Sequence, residues 1–179
     1  LAEEGVDAIF ADPARRTGAS RGSARITDPE QWSPPLSLAL GWASTIDRVG
    51  IKVAPGIAYE HIPSSWHAQW VSVGGDLVEA SLWSPALSPE GRGRSCLLLD
   101  EAGAAHALSS PEGMAANTPA ERVEVTPLGA FIAEADPAVI RSGLLGRLAD
   151  KTGAGIVSDK IAYLTGDDLP DNPFYDRFE

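Results

Sequence analysis

The sequence predicts an α/β protein, and three observations carry that reading. Short apolar, β-branched-rich runs end abruptly at proline or glycine. A helix-spaced apolar stripe separates the first two of those runs. Near the C-terminus an Asp-Pro pair opens a second apolar stripe that is followed by two more strand-like runs. Val6–Ala11 reads as a buried strand that Asp12-Pro13 terminates, because proline cannot donate to a ladder. Residues 14–35, rich in Gly, Ser, Arg and Pro, read as a long loop. Ser37 to Ile46 reads as a helix with Leu36, Leu40, Ala43 and Ile46 on one stripe, and Val49–Ala54 as a second strand closed by Pro55-Gly56. Gln69–Val73 is a third strand ending in a Gly74-Gly75 turn. Residues 77–83 suit either the return strand of a hairpin or a short helix. Ser95–Leu99 and Ala104–Leu108 pair across the Gly103 turn.

Residues 109–121 are rich in Ser, Pro, Ala, Asn and Gly and read as a linker, dividing the chain into regions 1–120 and 121–179. In the second region Ala130–Ala135 is a strand and Asp136 an N-cap with Pro137 at the first helical position. The helix is expected to run to about Lys151 on a stripe of Val139, Ile140, Leu144, Leu145 and Leu148, ending at Gly153. Gly155–Ser158 and Lys160–Thr165 are strands, and the tail 169–179 reads as irregular.

Composition narrows the function classes. Apolar residues make up 44% of 179, enough for a packed core. No apolar run approaches the roughly 18–20 residues of a membrane span. The acidic start Leu1-Ala2-Glu3-Glu4 is unlike a signal peptide, and a first residue other than Met reads as a cut end. The lone Cys96 cannot form an internal disulfide and suits a reducing, cytoplasmic setting. His61, His67 and His106 lack metal-ligand spacing, so no metal is expected. The net charge of −11 argues against a bare nucleic-acid binder, but it is uneven. Residues 13–27 hold Arg15, Arg16, Arg21 and Arg25 and no acid; residues 136–165 hold Arg141, Arg147, Lys151 and Lys160 against Asp136, Asp150 and Asp159.

The first candidate constellation is Asp12-Pro13-Ala14-Arg15-Arg16. Ligands of open α/β sheets bind beyond the carboxyl ends of the strands, where this carboxylate sits on a proline-fixed backbone. Asp12 could accept a hydrogen bond from an amino group or take its proton, and Arg15 and Arg16 present planar forks to phosphates. The competing reading is a strand terminator followed by a solvated basic loop. Lys52, between Ile51 and Val53, either faces the same crevice or sits at the sheet margin. Among the tryptophans, Trp70 and Trp83 suit the core, and Trp32, in the arginine loop, is the one expected to be exposed. Glu60-His61 and Glu79 have no spacing that brings them to Asp12.

Phe10-Ala11-Asp12-Pro13-Ala14-Arg15-Arg16 resembles the motif after the fourth strand of class I S-adenosylmethionine-dependent methyltransferases, where Asp/Asn-Pro-Pro-x lines the target-base pocket. Val49–Gly56 resembles the fifth strand and following loop of one family within that class, and Trp70–Trp83 its sixth-strand region. Asp136–Arg141 and Ile161–Asp167 resemble its C-terminal THUMP-like domain. The resemblance covers essentially the whole chain. It implies the C-terminal part of a Rossmann-like methyltransferase sheet followed by a small α/β, THUMP-like domain. Asp12 and Pro13 would then be catalytic, Arg15, Arg16 and Lys52 substrate-binding, S-adenosylmethionine the cofactor of the intact protein, and RNA or another nucleic-acid base the acceptor. A non-catalytic RNA-binding module of a larger protein is the other reading. The sequence departs from the pattern in two ways. Pro13-Ala14 stands where amino-methylating enzymes have two prolines and an aromatic. Neither Gly18 and Gly22 nor Gly74 and Gly75 give the strand–turn–helix that would hold the cofactor, which is expected upstream of Leu1, so the isolated chain is expected to be inactive.

Overall fold

A computed structural model describes residues 5–16 and 24–179; Arg21, Gly18 and Gly22 fall outside the described residues. Strand β1 (Ile9–Ala11) pairs in parallel with β2 (Val49–Val53), and helix α1 (Leu36–Gly41) lies between them in sequence. β3 (His67–Val73) and β4 (Asp76–Trp83) form a hairpin, which resolves residues 77–83 as strand. Its two-residue turn needs positive φ at both positions, and Gly74 and Gly75 supply it at 56° and 83°. β5 (Gly93–Leu99) runs parallel to β3, and β6 (Ala105–Ser109) returns antiparallel to β5. The six-stranded order is β1-β2-β4-β3-β5-β6, so the hairpin's second strand is inserted between β2 and β3.

Registers decide which side chains share a face. Ala11, Ile51, Leu82, Ala68 and Arg94 lie abreast on one side, as do Val53, Ala80, Trp70 and Cys96 one step along. This side is the core face, with Leu36 and Ala39 of α1 buried in the same cluster. The opposite face carries Phe10, Lys52, Ser81, Gln69 and Ser95 and is more polar, with Phe10 exposed, Lys52 and Gln69 half-buried and the two serines buried. Cys96 lies wholly within the core, where burial pushes its thiol up to about 12, so it is not a nucleophile at neutral pH.

On that polar face His67 is buried. Its Nδ1 lies 3.0 Å from the Gly91 carbonyl, which can only accept, so Nδ1 carries the proton. Nε2 then accepts from the Ser95 hydroxyl at 2.8 Å. Burial holds this imidazole below its ordinary value of 6.5, against the opposing pull of the Glu90 carboxylate 3.4 Å from Nε2. A lowered histidine contributes stability that is present above the unfolded value and lost as pH falls through it. Urea midpoints are therefore expected to drop as pH is lowered below 6.5, and His67→Gln is expected to flatten that dependence. An equally steep dependence in the variant would rule His67 out as its source.

The second sheet is built from β7 (Phe131–Ala135), β8 (Gly155–Ser158), β9 (Ile161–Gly166) and β10 (Tyr175–Phe178), ordered β10-β7-β9-β8 and antiparallel throughout. The tail is therefore not irregular: Tyr175 is buried and pairs with Ala135. The long helix expected over 137–151 is two helices, α2 (Pro137–Arg141) and α3 (Leu145–Thr152). Gly143, at φ 69°, breaks them, and Ile140 accordingly leaves the buried stripe. The start is as the sequence implies, with Asp136 Oδ1 accepting from the Ala138 amide at 2.7 Å, and α3 ends on the left-handed Gly153. α2 packs on β3, and Ser72 donates to Asp136 Oδ2 at 2.9 Å. One apolar cluster runs through both sheets.

Candidate functional site

The carboxyl ends of the parallel pair β1 and β2 open into a cleft of about 800 Å³. Asp12-Pro13 leaves β1 on one side, and Ala54-Pro55-Gly56 leaves β2 on the other. Pro13 is buried and Asp12 exposed, so the carboxylate stands on a backbone held by packing. Ala11 pairs with Ile51, which sets Asp12 beside Lys52 one step on. The Lys52 ammonium lies 3.6 Å from Asp12 Oδ2 and 3.5 Å from Glu79 Oε2. Lys52 opposes Ser81 on β4, and Glu79 is two residues along the same face, within diagonal reach. Partly exposed pairs of this kind add little stability. Their effect is to restrain where the Asp12 carboxylate points.

Residues 14–16 and 25–32 contribute one wall of the cleft, and backbone pairing ties them together. Ala14 and Ser33 exchange both backbone hydrogen bonds, at 2.8 and 3.1 Å, and the Ile26 amide donates to the Arg15 carbonyl at 2.9 Å. The expectation that Trp32 is exposed is corrected: it is 3% exposed, and its indole N–H donates to the Ile26 carbonyl at 3.0 Å. The indole is therefore wall material, with the Arg15 guanidinium 6.0 Å from its ring centre.

Of the residues singled out from the sequence, Asp12, Pro13, Arg15 and Arg16 line the cleft, and Lys52 reaches it through its pairing with Asp12. Glu79, which spacing gave no reason to connect with Asp12, joins through Lys52, and Arg25 and Arg141, read only as local charge, stand on the lining itself. His61 lines the cleft too, although spacing had given no reason to connect it with Asp12. A second hollow, about 670 Å³, lies between the Gly74-Gly75 turn and the second sheet. Asp100, Glu101, Glu134, Asp136 and Asp176 line it, so the two hollows have opposite electrostatic character.

No protein-family model matches the chain. Two Mycobacterium tuberculosis proteins, from strains CDC 1551 and H37Rv, are each described as an uncharacterized S-adenosylmethionine-dependent methyltransferase. Each is 31% identical to this chain over 170 residues, covering 90% of the chain and 42% of the relative. Similarity to these proteins supports a methyltransferase family. A Porphyromonas gingivalis W83 crystal structure, provisionally described as a methyltransferase, superposes with a TM-score of 0.61 over 94% of this chain and 41% of that one. At 16% identity it shows a shared fold. The chain thus spans about two-fifths of the length of the Mycobacterium tuberculosis relatives it matches.

Among the described residues, no glycine-rich turn joins a strand to a helix at the cleft. Gly74-Gly75 joins two antiparallel strands elsewhere, and Gly56 is followed only by a single 3₁₀ turn at Tyr59–His61. The described residues therefore do not form a cofactor cradle of the Rossmann type. No helix of the described residues is long and apolar enough to cross a membrane.

Proposed function

We propose that this chain is the acceptor-side part of an S-adenosylmethionine-dependent methyltransferase, that RNA or another nucleic-acid base is its acceptor, and that residues 121–179 form a THUMP-like region serving that acceptor. The observation that carries the reading is the Asp12 carboxylate, set on a buried Pro13 at the mouth of a cleft beyond a parallel strand pair and restrained by Lys52. The similarity to methyltransferases over nearly the whole chain supports it. The cofactor would be held by residues other than those described. This chain's own part is positioning: Asp12 accepts a hydrogen bond from the acceptor's amino or hydroxyl group and fixes its attitude, while the cleft walls limit water. Lys52 keeps the carboxylate from turning away.

The test is transfer of labelled methyl from S-adenosylmethionine by the full-length protein, offered an RNA pool and a set of small amine and hydroxyl acceptors side by side. Label incorporated into RNA is expected. Incorporation into small acceptors alone would overturn the nucleic-acid part, and no incorporation anywhere would overturn the methyltransferase reading.

A further inference from the structure

We infer that Arg141, carried by α2 of the second-sheet region, and Arg25, carried by the wall, grip phosphate at the cleft together with Arg15 and Arg16, so that the cleft's ligand is a phosphodiester strand. Calling that strand the methyl acceptor rests on the function proposed above; the grip itself does not. In a chain with 25 acidic and 14 basic residues, the described residues lining this cleft include four arginines and one carboxylate, Asp12. That carboxylate already faces the Lys52 ammonium. Among the described residues no carboxylate pairs with Arg25 or Arg141, and both are exposed. Clustered guanidinium groups repel one another unless an anion joins them, and their planar forks match phosphate oxygens two at a time.

Arg141 is also placed with unusual care for an exposed side chain. The Tyr59 hydroxyl donates to the Arg141 carbonyl at 3.0 Å. The Tyr59 ring meets Trp70 edge-on, with centroids 6.0 Å apart, and the Arg94 guanidinium lies over the same ring at 4.1 Å. Two residues on, Gly143 leaves room for that hydroxyl, since a Cβ there would lie 2.6 Å from it. Tyr59 belongs to the segment after β2 that supplies the cleft's Ala54–Ala58 edge and His61. The second region is thereby fastened to the rim at the residue that brings a cation to it, and Tyr59 is a positioning residue for Arg141.

The experiment is binding of a short, unstructured, fluorophore-labelled RNA to the full-length protein, titrated across potassium chloride concentrations. For wild type, log affinity is expected to fall linearly with log salt. Arg141→Ala and Arg25→Ala are each expected to reduce that slope by about 0.7, the loss of one phosphate contact on a single strand. Arg141→Lys should restore most of the slope, and Tyr59→Phe should weaken binding with the slope kept. Lys160→Ala removes a cation that does not line the cleft and should leave the slope alone. Wild-type slopes in both arginine variants, or salt-independent wild-type binding, would overturn the inference even if methyl transfer is observed. Slopes reduced as expected would sustain it even if no methyl transfer is found.

Discussion

Asp12→Ala in the full-length protein is expected to lower kcat for methyl transfer roughly 100-fold while leaving affinity for S-adenosylmethionine within about twofold, because a lost positioning contact at the reacting group costs on this order. The asymmetry follows from the geometry. Asp12 stands where β1 ends, at the mouth of the cleft, while the described residues form no cofactor cradle. Asp12→Asn keeps a hydrogen-bond acceptor but gives up the charge that Lys52 holds 3.6 Å away, so an intermediate loss is expected. Lys52→Ala frees the carboxylate without removing it and should cost less than Asp12→Ala. Steady-state kinetics alongside calorimetric titration of the cofactor checks the series. A wild-type kcat in Asp12→Ala would remove Asp12 from the site.

Arg94→Ala is expected to be the most destabilising single substitution considered, by about 3–5 kcal/mol. Arg94 is 1% exposed and stands on β5 beside Ala68. Its Nη1 donates to the carbonyls of Ala116 and Thr118, and its guanidinium covers the Tyr59 ring. No carboxylate pairs with it among the described residues, and its Nε has no hydrogen-bond partner there. Burial accordingly shifts its pKa below the ordinary arginine value, opposed by the Tyr59 hydroxyl and Glu121. Alanine would leave two carbonyls without a donor, expose the Tyr59 ring and open a cavity. Arg94→Met fills the volume and removes a costly buried charge, so its loss should be about 1–2 kcal/mol, the residual cost of the two carbonyls. Urea unfolding with m-values compared resolves the two variants. A loss under about 1 kcal/mol for alanine would show that the 114–121 segment does not depend on this side chain.

What could be read from the sequence tracks how local each signal is. Asp12 stood out because Pro13 marks the strand end within one residue, and Lys52 because a cation between Ile51 and Val53 must face away from the core. Glu79 was missed because its place beside Lys52 depends on the β2–β4 register, which couples residues far apart in sequence and is set by the inserted hairpin. Trp32 was misplaced because Gly, Ser and Arg around it describe a loop by composition, whereas the Ala14–Ser33 pairing folds that loop against the core. Gly143 inside an apolar stripe was a local sign that the 137–151 helix would break, and overlooking it concealed how Arg141 reaches the cleft. β10 went unread because four residues, only Tyr175 of them buried, give too short an alternation to see. The basic lining shows only in three dimensions: Arg15 and Arg16 follow β1, Arg25 comes from the wall and Arg141 from a helix more than a hundred residues on.

Hydrogen exchange of the full-length protein, with and without a bound acceptor RNA, tests most directly whether the acceptor lies in the Asp12 cleft. Protection is expected in peptides spanning residues 12–16, 54–61 and 139–144, with little change around residues 98–106 and 173–176 of the acidic hollow. Protection confined to the acidic hollow, or none in the three cleft segments at saturating RNA, would contradict it.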